Sequence, residues 1–211
     1  SGGLTLNDVS SKLLLNLITV DSVSTSVDNS LGLDVDADST VTSLSVANIT
    51  PIAIAGGSIL SGAITVTAGS IKLADTGTLA SNVSMSAGTI LDADNSLTVS
   101  GTLTQSGNIT IDVLTDKTLT YSGTAISLGA TTLTLSGGGT FSNTNTLVLN
   151  DENSLLSLAG ILTIGDVEGT AASNAGKGIQ VVSSATLGDY DLSAESNLAI
   201  AANQTLAGQL N

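Results

Sequence analysis

An apolar residue returns at every nineteenth position over much of this 211-residue chain. The series consists of Leu14, Leu33, Ile52, Ile71, Ile90, Ile109, Leu128 and Leu147. A fixed period of about 20 residues is typical of solenoids, in which each turn packs only against the turns before and after it. The period therefore predicts one domain over residues 1–211 that coils around a single axis.

Short segments of alternating apolar and polar residues predict β strands within each turn. Examples are Ile52-x-Ile54 and Leu133-x-Leu135, and such segments are bounded by Gly, Asn, Asp or Ser. Between residues 119 and 162 the apolar anchors recur about every seven residues, the last of them at Leu162. Three short strands then fill a turn of about 20 residues, which predicts an all-β parallel β-helix. The alternative is a barrel or sandwich, which also uses short strands but requires no constant period.

Three segments carry more specific expectations. Residues 165–178 have Val167 as their one apolar anchor, which predicts a loop extruded from a corner. The apolar run at residues 13–20 fits a buried first turn or a donated strand. Tyr121 and Phe141 are separated by about one turn, so we expect their rings to stack in adjacent turns. A complete protein and a segment of a longer chain both fit this pattern.

The composition argues against most enzyme classes. The chain has no His and no Cys, which excludes Ser-His-Asp triads, thiol nucleophiles and zinc sites of His and Cys. Its 18 acidic residues against 4 lysines, with a net charge of −14, disfavour binding to nucleic acid and anionic lipid. The chain has no apolar run long enough for a membrane-spanning helix, so we expect no direct membrane insertion. We therefore expect a protein that is not an enzyme.

Two acidic clusters are the candidate metal ligands. Asp34, Asp36 and Asp38 alternate along the chain, and Asp92 and Asp94 repeat the pattern. Carboxylate oxygens are the ligands that Ca²⁺ prefers, so these five residues predict a calcium site, and no other cofactor is expected. The alternative is a solvated acidic edge that maintains solubility. The same acids would also be the only candidate catalytic groups of a polysaccharide-acting enzyme.

Carboxylates and threonines also recur in ways that could stack them between turns. Asp75 and Asp94 are one step of the apolar period apart, with Asp112 close to the next step, which predicts a column of acids at one corner. Pairs of threonines resemble those of ice-binding solenoids, and they begin at Thr65, Thr102, Thr118 and Thr132. Their unequal spacings place them in different columns, so ordinary strand preference explains them better.

One stretch of the chain resembles a known class of surface proteins. Residues 133–160, LTLSGGGTFSNTNTLVLNDENSLLSLAG, are similar to the passenger regions of bacterial autotransporters and filamentous-haemagglutinin-like adhesins. The matching features are the LTLSG strand and turn, the GTFSN corner and the NTLVLN strand, with weaker copies near residues 63 and 96. The resemblance implies a right-handed parallel β-helix held outside the cell. It implies no catalytic residues.

These observations together predict an extracellular structural solenoid on a bacterial cell surface. We expect an adhesin stalk or a repeat of a surface fibre, with ends that stack on other subunits or continue in a longer chain. A glycan or protein of a host or cell surface is the other expected partner. The alternative function is a module that binds carbohydrate or ice with one flat face.

Overall fold

The computed structural model describes residues 3–161, 163–192 and 194–211, and these residues form 26 β strands and no helix. Neighbouring strands in this part of the chain are parallel, and successive turns lie side by side. The predicted β-solenoid is therefore confirmed. A barrel or sandwich of hairpins is wrong for this chain, because hairpins require antiparallel neighbours. None of the described residues belongs to a helix long and apolar enough to cross a membrane.

One strand of each turn lies in a sheet of ten strands, which we call side 1. In chain order its members are β2 (Lys12–Leu15), β4 (Gly32–Val35), β6 (Thr50–Ile54), β8 (Ser70–Leu73), β11 (Ile90–Ala93), β14 (Ile109–Val113), β17 (Thr132–Ser136), β20 (Leu155–Leu158), β23 (Gly178–Val181) and β25 (Leu198–Ile200). Ten strands correspond to about ten turns. At about 4.8 Å per turn, the described coil is roughly 45 Å long.

The remaining strands form a branched sheet of sixteen. They are β1 (Leu4–Leu6), β3 (Thr19–Thr25), β5 (Ser39–Val46), β7 (Ile59–Val66), β9 (Thr78–Leu79), β10 (Asn82–Met85), β12 (Leu97–Val99), β13 (Leu103–Gln105), β15 (Thr118–Tyr121), β16 (Ser127–Leu128), β18 (Thr140–Asn143), β19 (Leu147–Leu149), β21 (Thr163–Ile164), β22 (Val167–Gly169), β24 (Ala185–Leu192) and β26 (Leu206–Leu210).

This sheet covers two sides of the coil. β7 pairs with β9 through its first residues and with β10 through its last, so one long strand is followed by two short ones. We call the column of β9, β12, β15, β18 and β21 side 2, and that of β10, β13, β16, β19 and β22 side 3. The two columns rejoin at β24, which pairs with both β21 and β22. The five turns from β8 to β22 have the three short strands that the sequence predicts.

The turns are less uniform than the apolar series indicated. On side 1, Leu33 pairs with Ile52, the next member of the series, whereas Ile109 pairs with Leu133, which is a longer step along the chain. Leu14 and Ile90, two members of the series, are 55% and 38% exposed. Side chains alternate across a strand, so a shift of one residue gives the inward position to a neighbour. Two other members, at positions 128 and 147, lie on side 3 and not on side 1.

Aliphatic side chains from all three sides fill one continuous core. Leu33, Ile52 and Ile71 of side 1 have no exposed surface, and Leu, Ile and Val supply most of the other buried side chains. Each such residue contributes about 1.5–3 kcal/mol through burial. The rings of Tyr121 and Phe141 stack with centroids 6.3 Å apart and an angle of 20° between planes. The stacking predicted from the sequence is confirmed, and it joins adjacent turns.

Polar side chains at the corners hold successive turns together. The side-chain oxygens of Asn82 and Asn108 accept hydrogen bonds from the backbone N–H groups of Thr102 and Thr132, at 3.0 and 2.8 Å. Asn and Asp can replace a backbone acceptor where strands end, so these corners satisfy donors that the sheets leave unpaired. This role gives a physical reason for the Asn and Asp residues that lie between strands.

The two irregular segments are more ordered than the sequence indicated. Within residues 165–178, Val167–Gly169 forms β22, and the Val167 side chain is 1% exposed, so the whole segment is not an extruded loop. Residues 13–20 contribute to β2 and β3, in which Leu15 is buried, and Leu17 between these strands is 79% exposed. They form part of the first turn and are not a donated strand. Leu162, the last anchor of the seven-residue spacing, lies outside the described residues.

Candidate functional site

The column of side 3 continues through β1 and through the second halves of β3, β5 and β7, which pair in line with β10. It presents hydroxyl-bearing side chains through six consecutive turns. Its members, each the Cα partner of the next, are Thr5, Ser24, Ser45, Thr65, Ser84 and Thr104. The core positions on either side of each member point inward, so strand alternation turns every member toward solvent. The first two hydroxyls lie 3.1 Å apart and share a hydrogen bond. Neighbouring strands in such a sheet are about 4.8 Å apart, which spaces the hydroxyls regularly.

A second column of small or polar residues runs beside the first. Ser22, Ser43, Ala63 and Asn82 are Cα partners in successive turns, each two residues before a member of the hydroxyl column. We call these two columns together the hydroxyl face. Neither column contains a charged residue, although the chain has a net charge of −14.

The hydroxyl face has a shallow depression over its last three turns. The depression has a volume of about 320 Å³, and its lining includes Thr65, Ser84 and Thr104 on three adjacent turns. The Thr104 hydroxyl also donates to the carbonyl oxygen of Val83, at 3.4 Å. Hydroxyl groups can both donate and accept hydrogen bonds, so this lining can exchange them with water or with polar groups of a ligand. None of the described residues that line the depression is aromatic.

Sequence spacing alone missed this face. The threonine pairs at 118 and 132 lie on sides 2 and 1, so the four pairs do not share one column, as expected. Thr65 and Thr104 nevertheless share a column two turns apart. Ser84 lies on the turn between them and is the Cα partner of both. A search that accepted serine as well as threonine, at steps of about one turn, would have found the column.

The first acidic cluster lies at the end of β4 and in the corner that follows. Asp34 points outward from side 1 and forms an ion pair with Lys12, which raises the pKa of that lysine. The Asp38 carboxylate accepts a hydrogen bond from the backbone N–H of Ile59 at 2.9 Å, and Asp36 is exposed. Protein groups therefore contact the side chains of Asp34 and Asp38.

The second acidic cluster surrounds Lys72. The lysine Nζ lies 3.2 Å from Asp92 and 3.9 Å from Asp94. Asp92 is the Cα partner of Lys72 on one side and of Asp112 on the other. The predicted acidic column is therefore Asp92 with Asp112, and the prediction of Asp75 with Asp94 is wrong in register. Partial burial raises the pKa of Asp92, and the nearby lysine opposes this rise only in part.

The two acidic clusters remain separate in the fold. β6 and β8 lie between β4 and β11 on side 1, so three strand spacings, or roughly 14 Å, separate Asp34 from Asp92. Across the described parts of the chain, no three acidic side chains converge in a way that would hold a metal ion. A lysine ammonium occupies the position next to a carboxylate in each cluster. The calcium hypothesis stays a prediction from the sequence.

A third polar feature lies at a break in side 3. β13 pairs with β10 only, and the next strand of the column, β16, pairs with β19. At this break the hydroxyl oxygen of Tyr121 accepts a hydrogen bond from the backbone N–H of Leu103, at 3.1 Å. The break marks one end of the hydroxyl face, because its last member, Thr104, lies on β13.

Comparison of this chain with models of protein families, with curated proteins and with solved structures gave no match.

Proposed function

We propose that this chain is a non-enzymatic structural solenoid that works outside the cell, as an adhesin stalk or as a repeat of a surface fibre. The observation that carries the proposal is the single aliphatic core, which runs from Leu6 in the first turn to Tyr190 near the end. Each interior turn buries its neighbours' apolar side chains, so the coil holds its shape without a partner or a ligand. A rigid spacer requires this property.

The arrangement of hydrogen bonds fits a mechanical role. The backbone bonds between turns run along the coil axis, and bonds such as Ala55 N to Val35 O and Thr78 N to Ser58 O join one turn to the next. A force along the axis would load many such bonds together with the core. The absence of Cys from the sequence and the resemblance of residues 133–160 to autotransporter passengers support a place on a bacterial surface.

Labelling of intact cells tests the location and the role together. An antibody against the folded chain should label unpermeabilised cells of the source organism, and a strain without the gene should show no label. The same strain should lose adhesion or surface fibres visible by electron microscopy. Labelling that requires permeabilisation would contradict the proposed location. Labelling without any change in adhesion or fibres would contradict the proposed role.

The hydroxyl face supports a second candidate, a module that binds carbohydrate or ice. An uncharged array of hydroxyl groups at regular spacing fits a neutral ligand that offers its own hydroxyl groups. A glycan array and an ice-shaping assay would test both ligands. Replacement of Thr65 and Ser84 by Glu should abolish binding, whereas Thr134→Glu on side 1 should leave it unchanged. No signal from the unmodified chain in either assay would remove this candidate.

A further inference from the structure

Side 2 carries hydroxyl groups at matching outward positions through six consecutive turns. One column consists of Thr78, Thr98, Thr120 and Ser142, each the Cα partner of the next. A second column lies two residues earlier along the strands and consists of Thr118, Thr140, Thr163 and Thr186. We call these eight residues the threonine array, since all but one of them are threonine. The two columns overlap in β15 and β18, where each strand supplies two members.

The register of the strands gives the array two regular spacings. Paired positions in neighbouring turns are about 4.8 Å apart, and outward positions two residues apart along a strand are roughly 6.6 Å apart. No register shift interrupts the pairing of β12 with β15 or of β15 with β18. The hydroxyl groups therefore form a lattice along the side of the coil and do not converge on one point.

The array stands on a packed core that holds it in place. Leu119 and Phe141, which lie between array members, have no exposed surface, and the ring of Phe141 stacks on that of Tyr121 beneath two adjacent turns. Threonine is branched at Cβ, which restricts its χ1 angle, so its hydroxyl and methyl groups lose little freedom on binding. A surface that is organised before its ligand arrives binds at a lower entropic cost.

The hydroxyl groups of the array are available to a ligand. Within the part of the chain that the structure describes, none of them hydrogen-bonds another protein group. The hydroxyl face of side 3 differs in this respect. Its Thr5 and Ser24 hydroxyls share a hydrogen bond, and its Thr104 hydroxyl donates to the carbonyl oxygen of Val83.

The repetition in the array fits a ligand that is itself a lattice. Sites for small molecules are concave and combine a few different polar groups that converge on the ligand. The array instead offers nearly the same side chain at every position, with no charged, amide or aromatic member. Ice presents layers of water molecules that donate and accept hydrogen bonds, and its crystal lattice repeats at distances close to both spacings of the array. A polysaccharide chain repeats along one direction only.

We propose that the threonine array is an ice-binding surface. The inference goes beyond the proposed structural role, because a stalk or fibre requires no ligand on its sides. It also assigns ice to side 2, which leaves a glycan as the ligand to test on the hydroxyl face of side 3. A coil that lies with side 2 against ice contacts it through several turns at once.

Adsorption of the purified 211-residue chain to ice tests the array. The fluorescently labelled chain should enrich in a growing single ice crystal, and crystals in its solution should grow with facets in place of round discs. Thr98→Tyr combined with Thr120→Tyr should reduce the enriched fraction by about tenfold or more, because the two rings would hold the ice lattice away from the neighbouring threonines. Tyrosine suits an outward strand position, so circular dichroism should show that this variant is folded.

Two control variants separate side 2 from the other sides. Thr134→Tyr makes the same change at a half-buried outward position of β17 on side 1, and it should leave adsorption to ice unchanged. Thr65→Tyr combined with Ser84→Tyr alters the hydroxyl face and should also leave adsorption unchanged. If the hydroxyl face were the ice-binding surface, this last pair would abolish adsorption and the Thr98 and Thr120 pair would not.

Four outcomes would overturn the proposal. The first is an unmodified chain that neither shapes ice nor enriches in it. The second is full adsorption by the variant with both Thr98 and Thr120 replaced. The third is loss of adsorption in the Thr65 and Ser84 variant alone, which would assign ice to the hydroxyl face. The fourth is sedimentation with insoluble cellulose or chitin, without adsorption to ice, that the Thr98 and Thr120 variant loses, which would assign the array to a polysaccharide.

The same experiment stays separate from the test of location. Adsorption to ice by a protein that antibodies cannot reach on intact cells would retain the ice-binding surface and refute the place outside the cell.

Discussion

At the scale of single residues, the structure explains why the pKa values of two aspartates, Asp92 and Asp8, shift in opposite directions. The Asp92 carboxylate on side 1 is partly buried, and Asp94 and Asp112 are the other acids near it. Burial, and to a lesser extent these acids, raises the pKa of Asp92, while Lys72 lowers it. Asp8 is the opposite case, since hydrogen bonds from the hydroxyl and the backbone N–H of Ser10 lower its pKa.

The opposite pKa shifts predict opposite effects of removing the charge. Because the pKa of Asp92 is raised in the folded state, this residue contributes to folding stability below its ordinary pKa of 3.8. That contribution to stability is lost as the pH rises through the pKa of the folded state. Asp92→Asn should therefore be more stable than the unmodified chain at pH 7, and the difference should vanish as the pH falls below about 4. Urea denaturation between about pH 3 and pH 7 measures the difference.

Asp8→Asn is the matched control for this prediction. Because the pKa of Asp8 is lowered in the folded state, this residue contributes to folding stability above pH 3.8. That contribution to stability is lost as the pH falls through the pKa of the folded state. Asp8→Asn should accordingly be slightly less stable at pH 7 and equal to the unmodified chain in acid. A loss of stability in Asp92→Asn at pH 7 would show that the ion pair with Lys72 outweighs the cost of burial.

The sequence indicated the acidic clusters but not their surroundings. Asp34 and Asp92 both stood out as members of alternating acids, and the structure places both on the outer face of side 1. Their partners, Lys12 and Lys72, lie on the preceding turn of the coil. Such partners become visible only when the length of each turn is known.

At the scale of elements, the long strand β7, which passes from side 2 to side 3, depends on a glycine. Gly62 in β7 has a φ of +120° and lies opposite a register shift between Val41 and Ser43 in β5. A Cβ atom at this position would lie 1.8 Å from the carbonyl oxygen of Val41. The close approach of two backbones permits the bend, and only glycine fits there.

Replacement of this glycine should be far more costly than replacement of a glycine in open space. Gly62→Ala should reduce the free energy of unfolding by about 3 kcal/mol or more, because strain in φ adds to overpacking against the neighbouring strand. Gly57 has a φ of +86°, and a Cβ atom there would meet no other atom, so Gly57→Ala should cost only about 1–2 kcal/mol. Equal losses in urea denaturation would contradict this account of the bend.

The alternation of apolar and polar residues predicted the strands, but it did not predict which residues pair between turns. Leu133-x-Leu135 was correctly predicted as a strand, and it lies in β17. Leu14 belongs to the apolar series, yet its neighbour Leu15 occupies the core position. Alternation has a period of two residues, so an error of one residue in the length of a turn exchanges the inner and outer faces.

At the scale of the whole molecule, each turn contacts only its neighbours, so stability should vary along the axis. Terminal turns have one neighbour within the described chain, whereas the turns from β11 to β17 have neighbours on both sides and a buried core. In dilute solution, amide hydrogens of β26 should exchange at least about 100-fold faster than those of β14, which lies in the middle of the coil. Mass spectrometry of peptic peptides measures both.

Uniform exchange along the coil would contradict this expectation. It would show that all the turns open as one cooperative unit and not from the ends.

The sequence by itself determined the coil, because a constant period and alternation within each turn admit few other ways to bury so many aliphatic side chains. It also excluded catalytic groups that need His or Cys, because the chain contains neither residue. Only the tertiary structure decided which columns meet, because turns of unequal length shift every later position relative to a constant period. The hydroxyl face and the partners of the acids depend on that register.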